Sequence, residues 1–73
     1  MEVKIGVQYA QRELVVETDE TTEAVEKLVT EAIAGGGLLT LTDHKGKKVF
    51  VAADKITYVE VGRSTVTAVG FRS

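Results

Sequence analysis

The chain has 73 residues, no cysteine and a formal net charge of −2, which excludes a disulfide-stapled fold and a cysteine-ligated metal site. Its hydrophobic fraction of 44% and charged fraction of 27% are typical of a soluble globular domain and are wrong for a disordered chain. No stretch approaches the roughly 20 apolar residues of a membrane-spanning helix and the amino terminus lacks a signal-peptide pattern, so we expect one complete cytoplasmic domain over residues 1–73.

The amino-terminal part predicts a β-hairpin. Residues 2–9 alternate between apolar and polar side chains, as a half-buried strand does. After a turn around Ala10 and Gln11, the alternation resumes with Leu14 and Val16 on the inner face. Two short alternating runs joined by a turn favour an antiparallel pair.

An amphipathic helix is predicted over residues 21–34. Its apolar side chains recur at helical spacing on one face: Val25, Leu28, Val29, Ala32 and Ile33. Thr21 or Asp19 is suited to cap its amino terminus, and Gly35 is suited to the left-handed residue that ends a helix. The helix should therefore cover one face of a sheet.

The second half of the chain predicts strands. Residues 38–42 and 47–53 alternate and are separated by the turn sequence DHKG, in which glycine suits a positive φ. A short helical turn follows, then a strand over 57–61 and a last strand over 65–71. The predicted fold class is α+β, with one helix packed on a mostly antiparallel sheet in the order β-β-α-β-β-β, to which the strand over 65–71 would add a sixth.

This element order resembles the β-grasp fold of ubiquitin-like domains, although a different antiparallel strand order under the same helix also fits. The resemblance concerns architecture only and implies no function. A ubiquitin-like modifier or sulphur carrier needs a carboxy-terminal Gly-Gly, whereas this chain ends VGFRS.

The basic turn around residues 43–48 raises the question of anion binding. A P-loop requires a first glycine five residues before a Gly-Lys pair, then a Ser or Thr, between a strand and a helix. Here Leu41 and Lys48 stand at the first and last of these positions, and the segment joins two strands. We predict a solvated hairpin turn, with nucleotide or phosphate binding by Lys45, Lys47 and Lys48 as the alternative.

Apolar side chains also occur on the strand face that should be polar. They are Val15, Leu38, Phe50, Tyr58 and, if the last strand forms, Phe71. An exposed patch of this kind often marks an interaction surface, although a register shift or the last strand could cover part of it. The pattern predicts a protein-interaction patch, used for docking a partner or for forming a homodimer.

Catalysis and nucleic-acid binding find less support. No Ser or Thr lies beside a recognisable base, a single histidine without cysteine cannot form a structural zinc site, and no motif requires a cofactor. A basic patch with stacking aromatics would suit nucleic acid, but the sequence pI of 5.3 and an acidic helix oppose it. We expect a non-enzymatic protein with no metal and no cofactor.

The whole chain resembles a family of short bacterial proteins of unknown function. The resemblance lies in MEVKIGVQ, RELVVE, LTLTDHKGKKVFVAADKITYVEVG and the closing VGF, and ADKITYVEVG is its most specific part. It implies an actinobacterial protein related to a small mycobacterial antigen. Members of that family are sometimes labelled ATP-binding, a label that the incomplete P-loop does not support. The resemblance supplies no catalytic residues.

Overall fold

The computed structural model describes residues 1–62 and 64–67, with the side chains of residues 1–62. The elements are β1 (Glu2–Val7), β2 (Leu14–Glu17), α1 (Thr22–Gly35), β3 (Leu38–Thr42), β4 (Lys48–Ala52), a 3-10 turn (Ala53–Lys55), β5 (Ile56–Val61) and β6 (Ser64–Thr67). This confirms the α+β class and the predicted order β-β-α-β-β-β, to which β6 adds the sixth strand. Of the last strand predicted over 65–71, residues 68–71 lie outside the described residues.

The strands form two sheets instead of the single sheet that was predicted. One has four strands in the order β2-β1-β5-β6, and the other is the β3–β4 ribbon. The strand pairings are antiparallel. The ribbon stays separate in this part of the chain because single hydrogen bonds, not a ladder, join it to its neighbours. The bonds at Thr18 and His44, which join the ribbon to the end of β2, are of this kind.

The helix begins and ends at capped positions. Thr21 has extended backbone angles, and its side chain accepts a hydrogen bond from the N–H of Ala24 at 3.1 Å, which satisfies one of the free donors of the first turn. The left-handed residue at the other end is Gly36, with φ of 67°. The predicted stop at Gly35 was therefore one residue early, since Gly35 still belongs to the helix.

A single core joins the helix to both sheets. Its buried apolar side chains are Val3, Ile5, Val16, Val25, Val29, Leu39, Leu41, Val51, Ile56, Val59 and Val61. This agrees with the alternation predicted for the strands and with the apolar stripe of the helix. Three inward strand positions are less than fully buried: Leu14 is 37% exposed, and Val7 and Val49 are half-buried.

The end of β2 is attached to the end of β3 by one buried polar side chain. Thr18 is fully buried, and its hydroxyl donates to the carbonyl of Thr42 at 2.8 Å and accepts from the N–H of Glu20 at 3.2 Å. A second link is the 2.8 Å bond from the N–H of His44 to the carbonyl of Glu17. These contacts bring the β3–β4 turn beside the outer edge of β2.

Candidate functional site

Backbone N–H groups of the basic turn already donate hydrogen bonds to Asp43. Its carboxylate accepts the N–H groups of Lys45 and Lys47 at 2.9 and 2.8 Å, and its carbonyl accepts the N–H of Gly46 at 3.0 Å. The N–H of Lys47 above all, and then that of Lys45, holds the pKa of Asp43 below its ordinary value. A phosphate cradle requires backbone N–H groups that point at the ligand, and here they point at a carboxylate of the chain itself.

The three lysines of this turn do not converge on one point. The Nζ atom of Lys48 lies 3.2 Å from the hydroxyl of Thr42, its cross-strand neighbour on the outer face of the ribbon. Lys45 and Lys47 instead line a groove beside β2. Any anion at this turn would therefore meet lysine side chains from two surfaces and none of the turn's own amides.

The predicted interaction patch is distributed over the two sheets. Leu38 and Phe50 lie on the outer face of the ribbon and are 60% and 61% exposed. Val15, 50% exposed, belongs to the four-stranded sheet, as does half-buried Tyr58. Phe71 lies outside the described residues. The structure does not unite the four described residues on one sheet face.

Tyr58 is engaged within its own sheet. It pairs across the strands with Gly6, and its ring occupies the space where a side chain at residue 6 would lie. An aromatic ring over a cross-strand glycine covers backbone that would otherwise be exposed. The hydroxyl donates to the carboxylate of Glu13, and this bond is the main reason that the pKa of Tyr58 is raised to about 12.

We expect Glu13→Gln to lower the pKa of Tyr58 toward 10.0, the ordinary tyrosine value, because the amide carries no charge to oppose the phenolate. The pKa of Tyr58 is higher in the folded state than in the unfolded state. The contribution of the bond between Tyr58 and Glu13 to the stability of the fold is therefore complete below about pH 10 and is lost as pH rises through about 12. Absorbance titration of the phenolate in the pH range where the chain stays folded measures this, with Tyr58→Phe identifying the step. An unchanged high-pH step in Glu13→Gln would contradict it.

A groove of about 540 Å³ separates β2 from the β3–β4 hairpin. This volume is within the range of about 300–1,000 Å³ that is usual for ligand sites. Its lining combines apolar and charged side chains: Leu14, Val15, Val16, Glu17, Asp43, His44, Lys45, Lys47 and Val49. Four consecutive residues of β2 line it although their side chains alternate between faces, so the strand's backbone edge faces the groove.

The hydrogen-bonding groups of this edge are partly free. Met1 and Thr18 exchange two backbone bonds of 2.9 Å. Since bonded and non-bonded pairs alternate along an antiparallel ladder, Glu17 and Val15 direct their N–H and C=O groups outward. His44 uses the Glu17 carbonyl. Within residues 1–62, the outward N–H and C=O groups of Val15 form no backbone hydrogen bond with another element.

Three residues of interest were not identified from the sequence. Leu14 and Val49 lie at inward positions of alternating strands but border the groove, because β2 has a strand on only one side among the described residues. Tyr9 is fully exposed and has φ of 63°, a conformation uncommon for residues other than glycine. The alternating pattern predicts Tyr9 at the end of the first strand, whereas the structure places it in the turn after Val7.

The described part of the chain holds no group of three or more His, Cys, Asp or Glu residues that could bind a metal ion. Over the same residues, no helix has both the length and the apolar character needed to cross a membrane.

Comparison with known proteins gives a family but no activity. A family model described as "Protein of unknown function (DUF3107)" matches residues 1–72. No curated protein matches the chain. The actinobacterial origin, the relation to a mycobacterial antigen and the ATP label stay predictions. The match covers nearly the whole chain, and the chain belongs to the DUF3107 family of proteins of unknown function.

Proposed function

We propose that this chain is a non-enzymatic, cytoplasmic protein-binding domain that captures an extended segment of a partner along the free edge of β2. One observation carries the proposal: the outward N–H and C=O of Val15 border a groove that opens onto the apolar core. An unpaired strand edge is a template for another strand. Main-chain bonds to the edge would supply affinity, and alternate side chains would supply specificity.

The lining of the groove suits an added strand. Leu14 and Val49 offer apolar contacts at the opening of the core, where every second side chain of a bound segment would point. The bond between His44 and Glu17 closes one end of the edge. A bound segment would pair with β2 around Val15 and then diverge toward the hairpin turn.

The outer face of the β3–β4 ribbon is the rival surface for the same function. Leu38 and Phe50 are both well exposed there. That face offers apolar side chains, whereas the β2 edge offers backbone donors and acceptors as well. Because directional hydrogen bonds fix the register of a partner, we place the binding site at β2 and use Phe50 as the control.

Nucleotide or phosphate binding by Lys45, Lys47 and Lys48 is the alternative from another class. The occupation of the turn's amides by Asp43 weighs against it. For nucleic acid, the same lysines would have to act beside a helix rich in glutamate, which would repel the phosphate backbone.

The proposal is tested with two variants in a pull-down from a lysate of the source organism. Val15→Pro removes the outward N–H, and proline is tolerated on an edge strand where that N–H faces solvent. Phe50→Glu instead changes the outer face of the ribbon. We expect the same partner with the wild type and with Phe50→Glu, and its loss with Val15→Pro.

Circular dichroism and urea unfolding must show that Val15→Pro is folded. If it is not, Val15→Lys replaces it, since edge lysines oppose strand addition. If recovery of the partner in the pull-down depends on Phe50 and not on Val15, the proposed site is overturned. Chemical-shift changes restricted to residues 43–48 on addition of ATP would favour the nucleotide alternative instead.

A further inference from the structure

We infer that the segment captured at β2 is acidic at the end that reaches the hairpin turn, and that Lys45 and Lys47 recognise its carboxylates. This inference rests on the proposed function and specifies the partner: an extended segment with alternating apolar residues, followed by glutamate or aspartate. It concerns the end of the groove at His44, where the hairpin is bonded to β2.

The charged side chains at this end of the groove differ in whether they have a partner within the chain. The carboxylate of Glu17 lies 3.1 Å from the amino-terminal ammonium group, so its charge is balanced within the chain. Asp43 is directed into its own turn, toward two backbone N–H groups. Lys45 and Lys47 form no ion pair with any residue in the described part of the chain.

Two lysines therefore face one remaining carboxylate, that of Asp43, and this carboxylate is already hydrogen-bonded. A cationic rim of this kind is complementary to an acidic segment and repels a basic one. Charge complementarity across a partly exposed rim acts mainly on specificity and on the rate of association. The apolar contacts at Leu14 and Val49 would contribute equally to the affinity for an acidic and for a basic segment.

A second copy of the chain is a poor occupant of this edge. In a symmetric antiparallel pairing of two β2 strands about Val15, Glu13 of one copy would lie opposite Glu17 of the other, at both ends. Like charges directly opposite each other destabilise a strand pair. The edge is thus better suited to a different chain.

The test uses two short synthetic peptides with the same alternating Val and Thr residues, one ending in three glutamates and one in three lysines. Binding to the full chain is measured by amide chemical shifts and by titration at low and high salt. We expect the acidic peptide to bind about tenfold more tightly than the basic one at low salt, and salt to reduce the difference.

Lys45→Glu together with Lys47→Glu should lower the affinity for the acidic peptide by only about three- to tenfold, since exposed ion pairs are individually weak. Lys48→Glu is the matched control, because Lys48 is also exposed but is bonded to Thr42 on the outer face of the ribbon. It should leave binding unchanged.

The outcomes distinguish a failure of the acidic specificity from a failure of strand capture. Equal binding of both peptides, with shifts at Val15 in each case, would overturn the acidic specificity and leave strand capture intact. Binding of neither peptide, together with a pull-down that does not depend on Val15, would overturn the proposed function itself. A loss of acidic-peptide binding in Lys48→Glu equal to that in the double variant would also overturn the assignment to Lys45 and Lys47.

Discussion

Leu39→Ala is expected to lower the free energy of unfolding by about 2–5 kcal/mol. Leu39 is fully buried on the inner face of β3, in the core that joins both sheets to the helix. A chain of this size has a total stability of about 4–11 kcal/mol on per-residue averages. The substitution should therefore remove a large part of that stability, measured by urea or thermal unfolding.

Leu38→Ala is the matched control for this experiment. It removes the same atoms from the adjacent residue of the same strand, but Leu38 is 60% exposed whereas Leu39 is fully buried. Surface substitutions usually change stability by less than about 0.5 kcal/mol. Equal losses from the two substitutions would contradict the inner and outer faces assigned to β3.

Gly6→Ala is expected to lower the free energy of unfolding by about 1–3 kcal/mol through overpacking. Gly6 is buried in β1, and a Cβ atom there would lie 2.5 Å from the Cδ2 atom of Tyr58 and 2.7 Å from the hydroxyl oxygen of Thr57. Its neighbours would have to shift, and the Tyr58 ring is held by its bond to Glu13. Unfolding in urea measures the loss.

A double-mutant cycle with Tyr58→Ala assigns the cause. Without the ring, most of the space that a methyl group at residue 6 needs is open, so Gly6→Ala should cost less in the Tyr58→Ala background. A coupling free energy of about 1–2 kcal/mol is within the range for residues in contact. Additive effects would show that the ring is not what restricts residue 6.

The apolar residues of the outer faces were recognisable in the sequence, but their arrangement was not. The alternation of Val15, Leu38, Phe50 and Tyr58 with polar neighbours was visible in the sequence. Their position relative to each other was not, because the pairing of strands depends on contacts between residues far apart in the chain. Tyr58 covers Gly6, whereas Leu38 and Phe50 lie on the other sheet.

The sequence by itself determined the local elements of this protein. The period of the apolar residues predicted the hairpins and the helix, and Thr21 was among the predicted caps, since these signals come from neighbours within a few residues. The sequence also predicted the turn at Asp43 and Gly46, because the hydrogen bonds of this turn join residues within a span of five.

Only the tertiary structure decided that the strands of the described segments divide into two sheets, and that β2 forms an edge there. That division places the β3–β4 turn beside β2 through Thr18 and His44 and leaves Leu14 at an opening of the core. The alternation of a strand records which side chains point inward, but it carries no information on which strand lies next to it. The groove, and with it the candidate site, is a product of that long-range pairing.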